Sequence, residues 1–143
     1  MRDKDVNRII DANFNRSREG LRVCEDITRF ALRSHALTKE LKVVRHKISA
    51  AAKAHYGRQG AVSDARDSEK DVGRASKTPG EMTRSDTRDI FAANAERVKE
   101  SIRVLEEFYK LIDKKKAVSF SRLRFRMYEA ERKVFKRFEA LRD

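Results

Sequence analysis

A chain of 143 residues is long enough to bury one core unaided, and its single cysteine, Cys24, excludes a disulfide framework and a cysteine metal knot. Charged residues make up 41% and hydrophobic ones 39%, a balance that suits a folded chain only if the apolar residues are patterned, as they are here. The net charge of +12 points to an anionic partner, whether nucleic acid, an acidic membrane surface or a small ligand with several phosphates, and no apolar run approaches the roughly 20 residues of a membrane span.

The N-terminal "MRDKDVNRII" has no apolar leader, so the expectation is a soluble, cytoplasmic protein. With one Pro, five Gly and long runs of Glu, Lys, Arg, Leu and Ala, the chain reads as all-α. Apolar residues recurring at i, i+3, i+4 and i+7 predict helices over 3–33, 37–56, 86–113 and 118–141. The breaks "RSHAL" and "DKKKAV" are short enough to make antiparallel hairpins. The prediction is a single helical domain over 1–143, with hairpin one at 3–56, a loop at 57–85 and hairpin two at 86–141. The loop holds four of the five Gly and the only Pro; a connection of that length is usually functional or disordered, which makes it a candidate site.

The hairpins resemble each other. "ANFNRSREGLRVCED" (12–26) aligns with "ANAERVKESIRVLEE" (93–107) at a constant offset of 81. Asn13, Arg16, Glu19, Arg22 and Glu25 fall opposite Asn94, Arg97, Glu100, Arg103 and Glu106, with Gly20 opposite Ser101 and Asp26 opposite Glu107. In the partner helices only Arg45 and Arg124 and the apolar pattern are shared. This reads as an internal duplication, giving a four-helix bundle of two duplicated hairpins.

On a helix turning about 100° per residue, Ile9, Asn13, Arg16, Gly20, Val23, Ile27 and Phe30 form one stripe, and Ile90, Asn94, Arg97, Ser101, Val104, Phe108 and Leu111 repeat it. Polar groups on a core-facing stripe must be paired or solvated. One reading is a buried ion-pair network, with Arg22 to Asp26 and Arg103 to Glu107 at i,i+4. The other is a bound anion at Arg16 and Arg97, each followed one turn on by a small residue that would open space for phosphate oxygens. In the loop, "DARDSEKDVGR" supplies Asp64, Asp67 and Asp71 as oxygen ligands, with Arg66, Lys70 and Arg74 alternating with them and Gly73 for a sharp turn or close backbone approach. That suits Mg²⁺ with a polyphosphate, or simply a solvated loop of mixed charge. Cys24 is expected to be an inert core thiol, and His35, His46 and His55 lack metal spacing. In 121–138, Leu123, Met127, Val134 and Phe138, with Leu141 beyond, are expected in the core rather than on an RNA-stacking surface.

Taken in order, "RIIDANFNRSREGLRVCEDITRF", "LKVVRHKI", "ARDSEKDVGR" and "ANAERVKESIRVLEEF" resemble a small helical family found alone or fused to the N-terminus of thiamine-phosphate synthase. That family is the alternative hydroxymethylpyrimidine-phosphate kinase of thiamine biosynthesis. The resemblance covers roughly residues 5 to 130. It implies a standalone member that phosphorylates 4-amino-5-hydroxymethyl-2-methylpyrimidine phosphate to the diphosphate with ATP, and that prefers the monophosphate to the free alcohol. On chemical grounds Arg16 and Arg97 are assigned the phosphates, Asn13 and Asn94 the phosphate or pyrimidine edges, Asp67 and Asp71 the Mg²⁺, and Arg66 the transferring group. Glu19, Arg22, Asp26, Arg103 and Glu107, with Glu100, form a supporting shell, and Lys42 and Arg45 are further phosphate contacts. The expected partners are the phosphorylated pyrimidine and a nucleotide, with no membrane and no nucleic acid; a homodimer is left open. The competing reading is a basic helical module that binds nucleic acid or protein without catalysis.

Overall fold

The computed structural model describes residues 3–59 and 84–142. They form four long helices, α1 (Asp3–Asp26), α2 (His35–Gln59), α3 (Thr87–Tyr109) and α4 (Lys114–Arg142), and no strand among them. The fold is all-α. The two hairpins, α1 with α2 and α3 with α4, pack together mainly through α1 against α3, and α2 meets α4 on the far side.

Local chemistry sets the ends. Asp3 and Asp5 lie in the first turn of α1, where the helix dipole favours negative charge. Ser34 opens α2, its Oγ accepting from the Leu37 N–H at 3.2 Å. Asp86 caps α3 by accepting from the Asp89 N–H at 2.8 Å, and Asp113 caps α4 through the Lys115 N–H at 3.0 Å.

The core follows from helical spacing. Ile10, Phe14, Leu21 and Cys24 of α1 meet Leu41, Val44, Ile48 and Ala52 of α2, Phe91, Val98, Ile102 and Leu105 of α3, and Phe120, Leu123, Met127 and Val134 of α4. At one end Tyr109 packs on Phe120 with centroids 4.9 Å apart and its hydroxyl lies 2.8 Å from Nδ1 of His55. Phe138 packs against the core as predicted, whereas Leu141 is exposed.

Two features depart from the predicted stripe. After Asp26 the chain makes one π-helical turn, Ile27–Ala31, in which the Leu32 N–H donates to the Ile27 carbonyl at 3.0 Å. Bonding partners five residues apart bring Ile27 and Leu32 into the core together and rotate what lies between. Phe30, expected inside, is 64% exposed. Leu111, its counterpart, lies beyond the end of α3 and is 71% exposed.

The second departure is Gly20. It opens no space for a ligand, because α3 fills it. A Cβ at this position would stand 2.8 Å from Val98 Cγ2 and 3.1 Å from the Asn94 carbonyl oxygen. Glycine is what lets the two backbones approach so closely. Ser101, matched to Gly20 in sequence, meets Ser17, matched to Val98, with hydroxyls 2.8 Å apart. The crossing is therefore made of two contacts that exchange partners between the matched helices.

Candidate functional site

A cleft of about 800 Å³ opens between the end of α1, the π turn and the first half of α2. Its walls carry Arg22, Arg29, Arg33, Lys39, Lys42 and Arg45, against two carboxylates, Glu25 and Asp26. His35 and His46 stand at the same walls, with Ser34 and Thr38 between them. Four of the residues singled out in the sequence, Arg22, Asp26, Lys42 and Arg45, thus share one cavity.

Their roles differ. Arg45 reaches across the hairpin to Glu25, its Nε donating to Oε2 at 2.5 Å and its Nη2 to Oε1 at 3.1 Å, with both side chains largely buried. It stitches α2 to α1 before it can serve a ligand. Arg22 and Asp26 do not form the expected i,i+4 pair; both are exposed toward the cleft. Arg22, Arg29, Arg33, Lys39 and Lys42 have no carboxylate partner among the described residues, and Arg29 only lies over the neighbouring Phe30 ring.

The second hairpin repeats the stitch. Arg124 Nε donates to Glu106 Oε2 at 3.1 Å, joining the counterparts of Arg45 and Glu25, and that bond is the main reason the arginine holds its proton above the ordinary range. The expected Arg103–Glu107 pair forms at 2.9 Å, and Lys110, then Arg103, hold Glu107 below the usual carboxylate range. A smaller cavity of about 330 Å³ is lined by Arg103 and Arg124 with Glu96, Lys99, Glu100 and Tyr128. There the charges are used internally. Lys99 lies 2.8 Å from Glu96 and 2.9 Å from Glu131. Burial works to lower its affinity for the proton, but the two carboxylates outweigh it and raise the ammonium above its ordinary value.

The stripe arginines lie elsewhere than the periodicity suggested. Arg16 and Arg97 are exposed rather than core-facing. Arg16 Nη1 donates to Asn13 Oδ1 at 3.5 Å, and neither arginine has a carboxylate partner among the described residues. Asn13 is buried and Asn94 half-buried; the Nδ2 of each donates to the carbonyl four residues back, Ile9 or Ile90, at 2.8 Å. Glu19 and Glu100 are exposed. Arg66, Asp67, Asp71 and Gly73 lie outside the described residues, within which no three His, Cys, Asp or Glu gather to hold a metal ion.

Cys24 is buried, its Sγ 4.0 Å from the Phe91 carbonyl oxygen. Burial first, then Glu131 and Glu25, pushes the thiol well above its ordinary range, as expected of an inert core cysteine. His55 is a core residue bonded to Tyr109. Sequence reasoning passed over Arg29, Arg33 and Lys39. The signal is the density of cations on both sides of the break in "TRFALRSHALTKELK".

No helix among the described residues is long and apolar enough to cross a membrane. A family model described as the ThiD2 family matches residues 8–133. The chain is 42% identical over 126 residues to a thiamine-phosphate synthase of Synechocystis sp., covering 88% of this chain and 35% of that protein. It is 35% identical over 131 residues to the thiamine-phosphate synthase of Rhodopirellula baltica, covering 92% and 34%, and 39% identical over 133 residues to that of a Synechococcus sp., covering 92% and 36%. The chain thus spans about a third of the length of these relatives. No solved structure matches it.

Proposed function

The chain belongs to the ThiD2 family, and from that premise we propose that it is a phosphotransferase of thiamine biosynthesis. It passes the γ-phosphoryl group of ATP to 4-amino-5-hydroxymethyl-2-methylpyrimidine phosphate, yielding the diphosphate and ADP. The observation that carries this reading is the family match over residues 8–133; its relatives, being thiamine-phosphate synthases, support the pathway. The chemistry of the cleft is compatible with the reaction.

An oxygen of the acceptor phosphate attacks the γ-phosphorus, the bond to the β-phosphate oxygen breaks, and ADP leaves. That attacking oxygen is already largely ionised near neutral pH, so no strong general base is required. What the reaction needs is alignment of two anions against their mutual repulsion and stabilisation of the charge spread over the transferring group. Cations without carboxylate partners meet that need, and this chain carries them in the cleft and at Arg16 and Arg97. The residues assigned to Mg²⁺, Asp67 and Asp71, lie outside the described residues; when bound, the ion would offset phosphate charge, as is usual where one or two carboxylates hold it together with substrate oxygens.

Specificity follows from the same physics. If cations hold the acceptor's phosphate, the free alcohol leaves them unsatisfied and turns over poorly. The test compares kcat/KM for the monophosphate and the alcohol with purified protein, ATP and Mg²⁺. A preference of about a hundredfold or more for the monophosphate supports the reading, and equal turnover rejects it.

A further inference from the structure

We propose that the cleft between the end of α1 and α2 is the binding site for the polyphosphate chain of a nucleoside triphosphate. This rests on the phosphotransferase reading and decides which of the two phosphate-bearing substrates the cleft takes.

Charge makes the first argument. Arg45 and Glu25 neutralise each other, leaving Arg22, Arg29, Arg33, Lys39 and Lys42 facing Asp26 alone, an excess of four positive charges. A phosphate monoester is compact and can meet only part of that set. A triphosphate spreads its charge along a chain, so that even with Mg²⁺ offsetting part of it the phosphates can meet cations on both walls at once. The first turn of α2 adds the positive end of a 25-residue helix at the same wall through Ser34, His35 and Thr38.

The second argument is backbone strain. Arg33 has φ 51°, the one positive value at a non-glycine residue among those described. It ends the π turn where a helix terminus ordinarily takes glycine. An arginine there adopts a conformation that disfavours any Cβ, and what it adds over glycine is a cation at the cleft wall.

The third argument is the contrast with the second hairpin. Its smaller cavity uses Arg103 and Arg124, the counterparts of Arg22 and Arg45, yet it encloses Glu96 and Glu100, and its lysine is clamped by Glu96 and Glu131. Of these two cavities, only the one in the first hairpin holds an excess of unpaired cations. A general demand for basic surface would not single it out.

The experiment uses the full chain, titrated with inorganic tripolyphosphate and assayed for turnover, beside Lys42→Glu and Arg33→Gly. Lys42 is exposed and has no ion-pair partner among the described residues, so its reversal leaves the helical circular dichroism unchanged. The expected result is that tripolyphosphate binds and raises the melting temperature, that K42E weakens it by about tenfold or more, and that the KM for ATP rises by a similar factor. The KM for the pyrimidine monophosphate stays within about twofold. Arg33→Gly should raise the melting temperature of the free protein and weaken tripolyphosphate binding, a pairing that a merely structural arginine would not produce. The proposal is overturned if both variants bind tripolyphosphate as the parent does, or if the KM increase falls on the monophosphate. Turnover that survives both substitutions unchanged sinks the cleft assignment and leaves the kinase reading standing. Binding that K42E abolishes, in a protein with no turnover on any nucleotide, rejects the kinase reading and the nucleotide assignment with it.

Discussion

Arg45 and Glu25 form a two-pronged bridge, 2.5 Å and 3.1 Å, between α2 and α1 at the wall of the cleft. Removing one partner of such a buried pair strands the other, which costs about 3 kcal/mol. Glu25→Gln should therefore lower the free energy of unfolding in urea by about that amount, and Arg45→Lys, which keeps the charge but loses the fork, by less. Equal stability of parent and E25Q would show that the pair does not hold the hairpin.

At Gly20 two effects oppose each other. Alanine gains about 1 kcal/mol of intrinsic helix preference over glycine, but its Cβ would meet Val98 Cγ2 at 2.8 Å and the Asn94 carbonyl oxygen at 3.1 Å. The overlap wins, and Gly20→Ala should destabilise by about 1–2 kcal/mol. Adding Val98→Ala removes the nearer atom, so the double variant should be more stable than the sum of the single changes requires. Strict additivity would contradict the close crossing.

Cys24 supplies a pH signature. Its folded-state pKa is raised, chiefly by burial, so the thiol stays protonated in the folded protein where the unfolded chain releases the proton. The stability it contributes is fully present below the unfolded value of about 8.5 and declines as pH rises beyond it. The gap in unfolding free energy between the parent and Cys24→Ala should narrow above that pH, and thiol reagents should react only on unfolding. Fast reaction of the native protein would refute the burial argument.

Arg16 and Arg97 are exposed and lack carboxylate partners among the described residues. Each Arg→Ala change should leave the melting temperature within about 2 °C of the parent while lowering kcat/KM by about tenfold or more. Full activity in both variants would remove these arginines from the phosphate-binding set.

The helices and both hairpin turns were legible because apolar spacing and capping residues act locally. Glu25 and Glu106, Arg45 and Arg124 were visible as matched positions, and the structure joins them pairwise. What periodicity could not give was the neighbour. Gly20 read as a gap because its angular position was known but the approach of α3 was not. The π turn was equally hidden; one extra residue in the hydrogen-bonding cycle rotates the phase, putting Phe30 outside and Leu32 inside. Arg16 faces outward because the buried face of α1, which carries Ile10, Phe14, Ser17, Leu21 and Cys24, is rotated by about one residue from the stripe on which Arg16 was placed. The cleft was missed because its cations come from both sides of a turn and gather only when the hairpin closes.

The most direct test of the account is product identification by ³¹P NMR after incubating the purified chain with ATP, Mg²⁺ and the pyrimidine monophosphate. The account predicts ADP and the pyrimidine diphosphate in equal amounts, and negligible product when the free alcohol replaces the monophosphate. Absence of the diphosphate across nucleotides and Mg²⁺ concentrations would contradict it.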